Sequence, residues 1–131
     1  MKTLIVEDEF TNRIILQQTL EVYGVVHVAV NGVEAVEAVR AALDAHAPYD
    51  LICLDIMMPE MDGQEALKQI RALELERKKC GSDGVKIIMT TALTDPVSIM
   101  QAFCEQTDAY IVKPVDRGAL IKELRRLGLV E

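Results

Sequence analysis

Charged and hydroxyl side chains directly follow four short apolar runs in this sequence of 131 residues. These polar residues are Glu7 and Asp8, Asp55, Thr90 and Thr91, and Lys113. Carboxylates that lie close together raise one another's pKa unless a cation lies between them. Oxygen ligands with room for water favour Mg²⁺, so we expect Asp8 and Asp55 to bind a magnesium ion. Glu7 would hold a metal-bound water or orient Asp8.

The same residue types are suited to phosphoryl transfer. A carboxylate can attack phosphorus and form an acyl phosphate if the charge on the three equatorial oxygens is neutralised. Asp55 is the best-placed carboxylate for that attack. We expect Mg²⁺ to bind one phosphoryl oxygen, the Lys113 ammonium a second and the Thr91 hydroxyl a third.

A regular alternation of strand-like and helix-like segments would position these residues. Short apolar runs predict strands at residues 3–6, 25–30, 51–54, 86–90 and 109–112. Helical spacing predicts helices at about 11–22, from Asn31-Gly32 to before Pro48, at 63–79, at 96–105, and from the cap Asp116 to Leu127. Asn31-Gly32 ordinarily suggests a hairpin, but the helical spacing of the apolar residues after it favours a helix.

Five successive strand-helix units predict an α/β domain with helices on both faces of a parallel sheet. The expected architecture is a flavodoxin-like three-layer (βα)5 fold with a five-stranded sheet in the order 2-1-3-4-5. In that order the first and third strands are neighbours, so Asp8 and Asp55 would lie about 5 Å apart. Lys113 would start about 10 Å from Asp55, a distance that its long side chain can span.

The composition excludes several classes of protein. Half of the residues are apolar, which is enough for the core of one domain spanning residues 1–131. The net charge of -7 argues against binding nucleic acid by bulk electrostatics. No apolar run approaches a membrane span, so we expect a soluble, cytoplasmic protein. The three cysteines have no spacing typical of a metal or redox site.

Four motifs occur in order along the chain: LIVEDE at 4–9, DIMMPEMDG at 55–63, TA at 91–92 and YIVKP at 110–114. Taken together, they resemble the receiver domains of two-component response regulators over essentially the whole chain. The resemblance implies that Asp55 is the phosphoacceptor and that Glu7 and Asp8 form the acid pair at the metal. It also implies that the backbone carbonyl of Met57 is a further magnesium ligand.

The resemblance further implies a switch. Thr91 would move toward the phosphoryl group, and Tyr110 would rotate inward into the vacated space. Thr90 is also a hydroxyl residue at this strand end, but only Thr91 precedes an alanine as in the family, so Thr91 is preferred. The resemblance also implies a cis peptide bond between Lys113 and Pro114.

The predicted function is a phosphoacceptor switch that takes a phosphoryl group from a histidine kinase or a phosphotransfer protein. It would be a signalling protein that catalyses only its own phosphorylation and dephosphorylation. Since the sequence leaves no room for an output domain, we expect output by contact with another protein through the fourth helix, fifth strand and fifth helix. This protein would be either a phosphorelay intermediate or a chemotaxis-type regulator, and a fragment of a longer protein is the alternative. The alternatives are a receiver-like interaction module that is never phosphorylated and an FMN-binding domain, although Glu7-Asp8-Glu9 would repel the FMN phosphate.

Overall fold

Five parallel strands form one sheet in the computed structural model, which describes residues 1–56, 63–77, 84–91 and 107–130. The strands are β1 (Lys2–Val6), β2 (Val25–Ala29), β3 (Leu51–Asp55), β4 (Lys86–Thr91) and β5 (Ala109–Val112). Their order is β2-β1-β3-β4-β5, and every neighbouring pair is parallel. The predicted strand order is therefore confirmed.

Helices cover both faces of this sheet. They are α1 (Phe10–Leu20), α2 (Gly32–Asp44), α3 (Gly63–Glu76) and α4 (Arg117–Arg126), where α4 denotes the last described helix. Apolar side chains of α2 and α3 form one core with alternate residues of β1, β3 and β4. The side chains of α1 and α4 form a second core with the intervening residues of the same strands and of β5. This arrangement confirms the predicted three-layer α/β architecture.

Two helices begin at side-chain caps that the sequence indicated. The Asn31 side chain accepts a hydrogen bond from the backbone N–H of Glu34 at 2.8 Å, so Asn31-Gly32 begins a helix and is not the turn of a hairpin. Asp116 caps α4 in the same way, accepting from the Ala119 N–H at 2.9 Å. The predicted cap at Asp95 and the helix after it lie outside the described residues.

The first three helices end before their predicted ends: α2 ends at Asp44, α3 ends at Glu76, and α1 also ends early. α1 ends at Leu20, and Glu21–Tyr23 form a 3-10 turn, whereas the helix was predicted to continue to Val22. The turn leads into Gly24, which has φ +153°. A Cβ atom at this position would lie 1.9 Å from the carbonyl oxygen of Met1, so only glycine fits here. Within the described ranges, no helix is long and apolar enough to cross a membrane.

Candidate functional site

The carboxyl ends of β1, β3 and β4 bring polar side chains to one face of the sheet. Side chains alternate between faces along a strand, and Ile5, Cys53 and Ile88 all belong to the core under α1 and α4. Two residues further along each strand the same face carries Glu7, Asp55 and Thr90. The apolar strand bodies thus fix which polar side chains point toward α1 and α4.

Three carboxylates converge at this edge. One oxygen from each of Glu7, Asp8 and Asp55 can be chosen so that all three atoms lie within 4.8 Å of one another. Glu7 is fully buried and Asp55 is 2% exposed, whereas Asp8 is exposed to solvent. The cluster therefore consists of oxygen ligands and has one open side, which fits a Mg²⁺ ion that retains several waters. Met57, the further ligand that the resemblance implies, lies outside the described residues.

Lys113 provides a positive charge beside two of these carboxylates. Its ammonium lies 3.1 Å from Asp55 Oδ2 and 3.1 Å from Glu7 Oε1, and it donates a hydrogen bond to Glu7 Oε2 at 3.2 Å. The backbone N–H of Lys113 donates to the carbonyl of Thr91 at 2.6 Å, which extends the pairing of β4 and β5. The peptide bond from Lys113 to Pro114 is cis. The long side chain thus spans from β5 to β3 and β1.

The electrostatics of the cluster favour additional positive charge. The pKa of the Glu7 carboxyl is raised from 4.5 to about 7, chiefly because burial disfavours the charged form and also because Asp55 lies beside it. Lys113 opposes this rise. Burial lowers the pKa of Lys113, but attraction to Asp55 and Glu7 outweighs burial, so this pKa is above its usual value. One ammonium therefore does not balance the carboxylates around it.

The loop after β1 holds Glu7 in place. The backbone N–H of Glu9 donates to Glu7 Oε2 at 3.2 Å. The Arg13 guanidinium donates to the backbone carbonyl of Glu7 at 3.2 Å and lies 5.6 Å from the ring centroid of Phe10. The sequence did not predict these contacts, nor the ion pair between Glu7 and Lys113. The only indication in the sequence was that glutamate reaches farther than aspartate from the same strand end.

The two residues of the predicted switch lie near the end of β4 and in β5. Thr91 is the last residue of β4 and is buried, whereas the Tyr110 side chain is 58% exposed. Tyr110 pairs with Met89 across the sheet, and Thr91 pairs with Val112. Alternation therefore places Tyr110 and Thr91 on the same face of the sheet, opposite to the face that carries Asp55.

The chain is similar to known signalling proteins. The family model described as "Response regulator receiver domain" matches residues 3–125. The transcriptional regulatory protein ResD of Bacillus subtilis is 38% identical over 96% of this chain, and the match spans 47% of ResD. The chemotaxis protein CheY of the same organism is 32% identical, with 95% of both chains covered. The chain thus spans about half the length of a relative such as ResD and nearly all of CheY.

Solved structures show the same similarity. The receiver domain of the histidine kinase CKI1 from Arabidopsis thaliana, complexed with Mg²⁺ and BeF₃⁻, superposes with a TM-score of 0.82 at 26% identity, covering 97% of this chain and 89% of that one. The receiver domain of the Saccharomyces cerevisiae response regulator Ssk1, crystallised with the phosphotransfer protein Ypd1, gives 0.79 at 31% identity, covering 98% and 88%. By its family model, its relatives and its fold, this chain belongs to the response regulator receiver domain family.

Proposed function

We propose that Asp55 is the phosphoacceptor of a two-component phosphorelay. The main observation is that the Asp55 carboxylate, at the end of β3, is buried and has charged side chains beside it. Its Oδ2 lies 3.1 Å from the Lys113 ammonium, and it belongs to the carboxylate cluster with Glu7 and Asp8. A buried carboxylate with both a cation and further anions beside it is suited to a reaction that adds negative charge and needs it neutralised.

In the proposed transfer, an oxygen of the Asp55 carboxylate attacks the phosphorus of a phosphohistidine. A P–O bond forms and the P–N bond breaks, with its electron pair staying on the imidazole nitrogen. The Lys113 ammonium stabilises the charge on the phosphoryl oxygens, since it already lies at hydrogen-bond distance from Asp55. In hydrolysis, water attacks the phosphorus, the bond to Asp55 breaks, and the carboxylate and inorganic phosphate are released. The protein thus catalyses only reactions of its own side chain.

Glu7, Asp8 and Asp55 would hold Mg²⁺, and we propose the Met57 carbonyl as a further ligand. When bound, Mg²⁺ neutralises charge on the phosphoryl group. The oxygen-only donor set of the cluster supports this assignment. The CKI1 receiver domain, which has the same fold, is complexed with Mg²⁺ and BeF₃⁻.

The signal would leave through the surface that contains Tyr110. We propose that Thr91 moves toward the phosphoryl group and that Tyr110 then turns inward, changing the face made of the predicted helix at 96–105, β5 and α4. The exposed side chains of Tyr110 and Val112 support a docking role for β5. A downstream protein would bind this face.

The proposed phosphodonor is a sensor histidine kinase or a phosphotransfer protein. Two similar structures support this choice, since one is the receiver domain of a histidine kinase and the other is a receiver domain crystallised with a histidine phosphotransfer protein. We propose that residues 1–131 act as one receiver domain in the cytoplasm. A receiver-like module that works without phosphorylation is the contrary outcome of the experiment that follows.

Incubation with Mg²⁺ and acetyl phosphate, followed by intact-mass spectrometry, tests the proposal. We expect one phosphoryl adduct on the wild type and none on Asp55→Asn. Asp44→Asn is the matched control, because Asp44 is more than half exposed and pairs with Arg77 at the end of α2. Absence of the adduct from the wild type, or equal labelling of Asp55→Asn, would show that Asp55 is not the phosphoacceptor.

A further inference from the structure

Thr90 lies directly beside Asp55 in the sheet. The two residues are register partners on β3 and β4, and residue pairs in register between parallel strands point to the same face. On its other side Thr90 pairs with Ile111, and Lys113 follows Ile111 by two residues. Thr90 is therefore placed on β4 between Asp55 and the strand from which Lys113 reaches across.

The Thr90 hydroxyl is buried without a hydrogen bond. The residue is 1% exposed, and within the described part of the chain its Oγ1 has no partner. A buried hydroxyl without a partner costs free energy, so such groups are rare in folded proteins. The hydroxyl of the neighbouring Thr91 is not placed to pair with that of Thr90, because alternation directs the Thr91 side chain to the opposite face of β4.

Phosphorylation would supply the missing acceptor. An acyl phosphate on Asp55 adds oxygens with negative charge beside the position that Thr90 occupies. Hydrogen bonds to charged acceptors are about twice as strong as those between neutral groups. A hydroxyl that is unpaired before the reaction and paired after it stabilises the phosphorylated state selectively.

We propose that the Thr90 hydroxyl, which has no hydrogen-bond partner in the described structure, donates a hydrogen bond to an oxygen of the acyl phosphate on Asp55. The proposal rests on Asp55 being the phosphoacceptor. It gives Thr90 a role separate from that proposed for Thr91. Thr90 would contact the phosphoryl group from its place beside Asp55 on the same face of the sheet, whereas Thr91 is proposed to move toward the phosphoryl group as part of the switch.

Replacing Thr90 by valine tests the idea, because valine keeps the shape and the β-branch but lacks the hydroxyl. We expect Thr90→Val to have a thermal midpoint without ligand that is unchanged or higher, since the unpaired polar atom is gone. The affinity for beryllofluoride in the presence of Mg²⁺ should fall about tenfold. The affinity for Mg²⁺ alone should not change. Thr90→Ser, which retains a hydroxyl, should bind beryllofluoride within about threefold of the wild type.

Thr3→Val is the matched control. Thr3 Oγ1 is also buried without a partner in the described structure, but it lies on β1 near the opposite end of the sheet. This variant should match Thr90→Val in its effect on the unliganded protein and leave beryllofluoride binding unchanged. If Thr90→Val does not fold, Thr90→Ala is measured against the same criterion.

The possible failures are distinguishable. If the wild type binds no beryllofluoride, the proposal that Asp55 is the phosphoacceptor is overturned, and so is the proposed role of Thr90. A wild type that binds beryllofluoride, with Thr90→Val or Thr90→Ala binding equally well, overturns the role of Thr90 alone. An equal loss of affinity in Thr3→Val would also overturn it, because the effect would then not be local to Asp55.

Discussion

Two clusters of charged side chains lie at opposite ends of the sheet, and each contains a buried glutamate. At the carboxyl ends of the strands, Glu7 lies with Asp8, Asp55 and Lys113; we call these four residues the strand-end site. At the amino ends of β4 and β5, a second group, the amino-end cluster, joins α3 to the sheet. It consists of Arg71, Glu74, Lys86 and Asp108.

The amino-end cluster is balanced in charge and in hydrogen bonds. Glu74 accepts from Arg71 Nη1 at 2.6 Å and from the backbone N–H of Val85 at 2.6 Å. Asp108 accepts from the Ile87 N–H at 2.8 Å and lies 3.9 Å from the Lys86 ammonium. Each carboxylate pairs with a cation and accepts from a backbone N–H. The cluster therefore links α3 to the starts of two strands, and its two carboxylates are balanced by two cations.

The strand-end site has three carboxylates and one ammonium. The charges of these four residues do not cancel. The difference shows that burial of a carboxylate does not by itself indicate function. An excess of carboxylates over cations does indicate function, because binding a proton or a metal ion stabilises such a site.

The largest effect should come from breaking the balanced cluster. Glu74→Ala leaves the Val85 N–H without its acceptor and removes one of the two carboxylates that pair with Arg71. We expect the free energy of unfolding to fall by about 3 kcal/mol. The loss should be the same with and without Mg²⁺. Urea unfolding followed by circular dichroism measures it, since the chain has no tryptophan. The control is Glu76→Ala, a largely exposed residue of the same helix, which should change stability by less than about 0.5 kcal/mol.

If Glu74→Ala lowers the free energy of unfolding no more than Glu76→Ala does, the amino-end cluster does not stabilise the fold. A loss that Mg²⁺ restores would contradict the division of roles between the two clusters.

The strand-end site should show the opposite behaviour when its glutamate is neutralised. Because the pKa of Glu7 is raised from 4.5 to about 7 in the folded protein, the folded state holds a proton that the unfolded state has released. The metal-free protein should therefore lose stability, by about 2 kcal/mol, as the pH rises from about 5 to about 8. Glu7→Gln should remove most of this dependence.

Saturating Mg²⁺ should flatten the same profile, since a cation replaces the proton between the carboxylates. Urea unfolding at several pH values checks both statements. Equal slopes for the wild type and Glu7→Gln, after both are measured without metal, would contradict the account of the Glu7 pKa.

A smaller effect is expected at the exposed edge of the strand-end site. Asp8→Asn removes one carboxylate of the cluster, and we expect Mg²⁺ affinity to fall about tenfold, or about 1.4 kcal/mol, with little change in folding. Glu9→Gln is the control, because Glu9 is an adjacent exposed acid whose side chain is not in the cluster. Isothermal titration calorimetry gives both affinities. Equal affinity in Asp8→Asn and Glu9→Gln would exclude Asp8 as a metal ligand.

Much of the strand-end site could be predicted because it depends on local patterns. Short apolar runs predicted the strands, and in a parallel sheet their polar ends must meet at one edge. That reasoning, with the standard spacing between strands, predicted that Asp8, Asp55 and Lys113 lie close together. The strand order followed from the same units and is confirmed.

The rest depends on contacts between residues that are distant in sequence. Glu7 and Lys113 are 106 residues apart, and only the path of a side chain across β4 and β3 decides that they pair. Arg71 and Asp108, which are 37 residues apart, carry no motif at all. The close approach of Gly24 to the Met1 carbonyl was also not predictable from local patterns.

The most direct test of the central claim is to locate the phosphoryl group chemically. The protein is phosphorylated with acetyl phosphate and Mg²⁺, reduced with borohydride, which converts an aspartyl phosphate to homoserine, and digested for peptide mass spectrometry. We predict homoserine at position 55 and no conversion at Asp8 or at the exposed Asp44. Homoserine at another position, or unmodified Asp55 in a protein that carries the phosphoryl mass, would contradict the assignment of Asp55 as the phosphoacceptor.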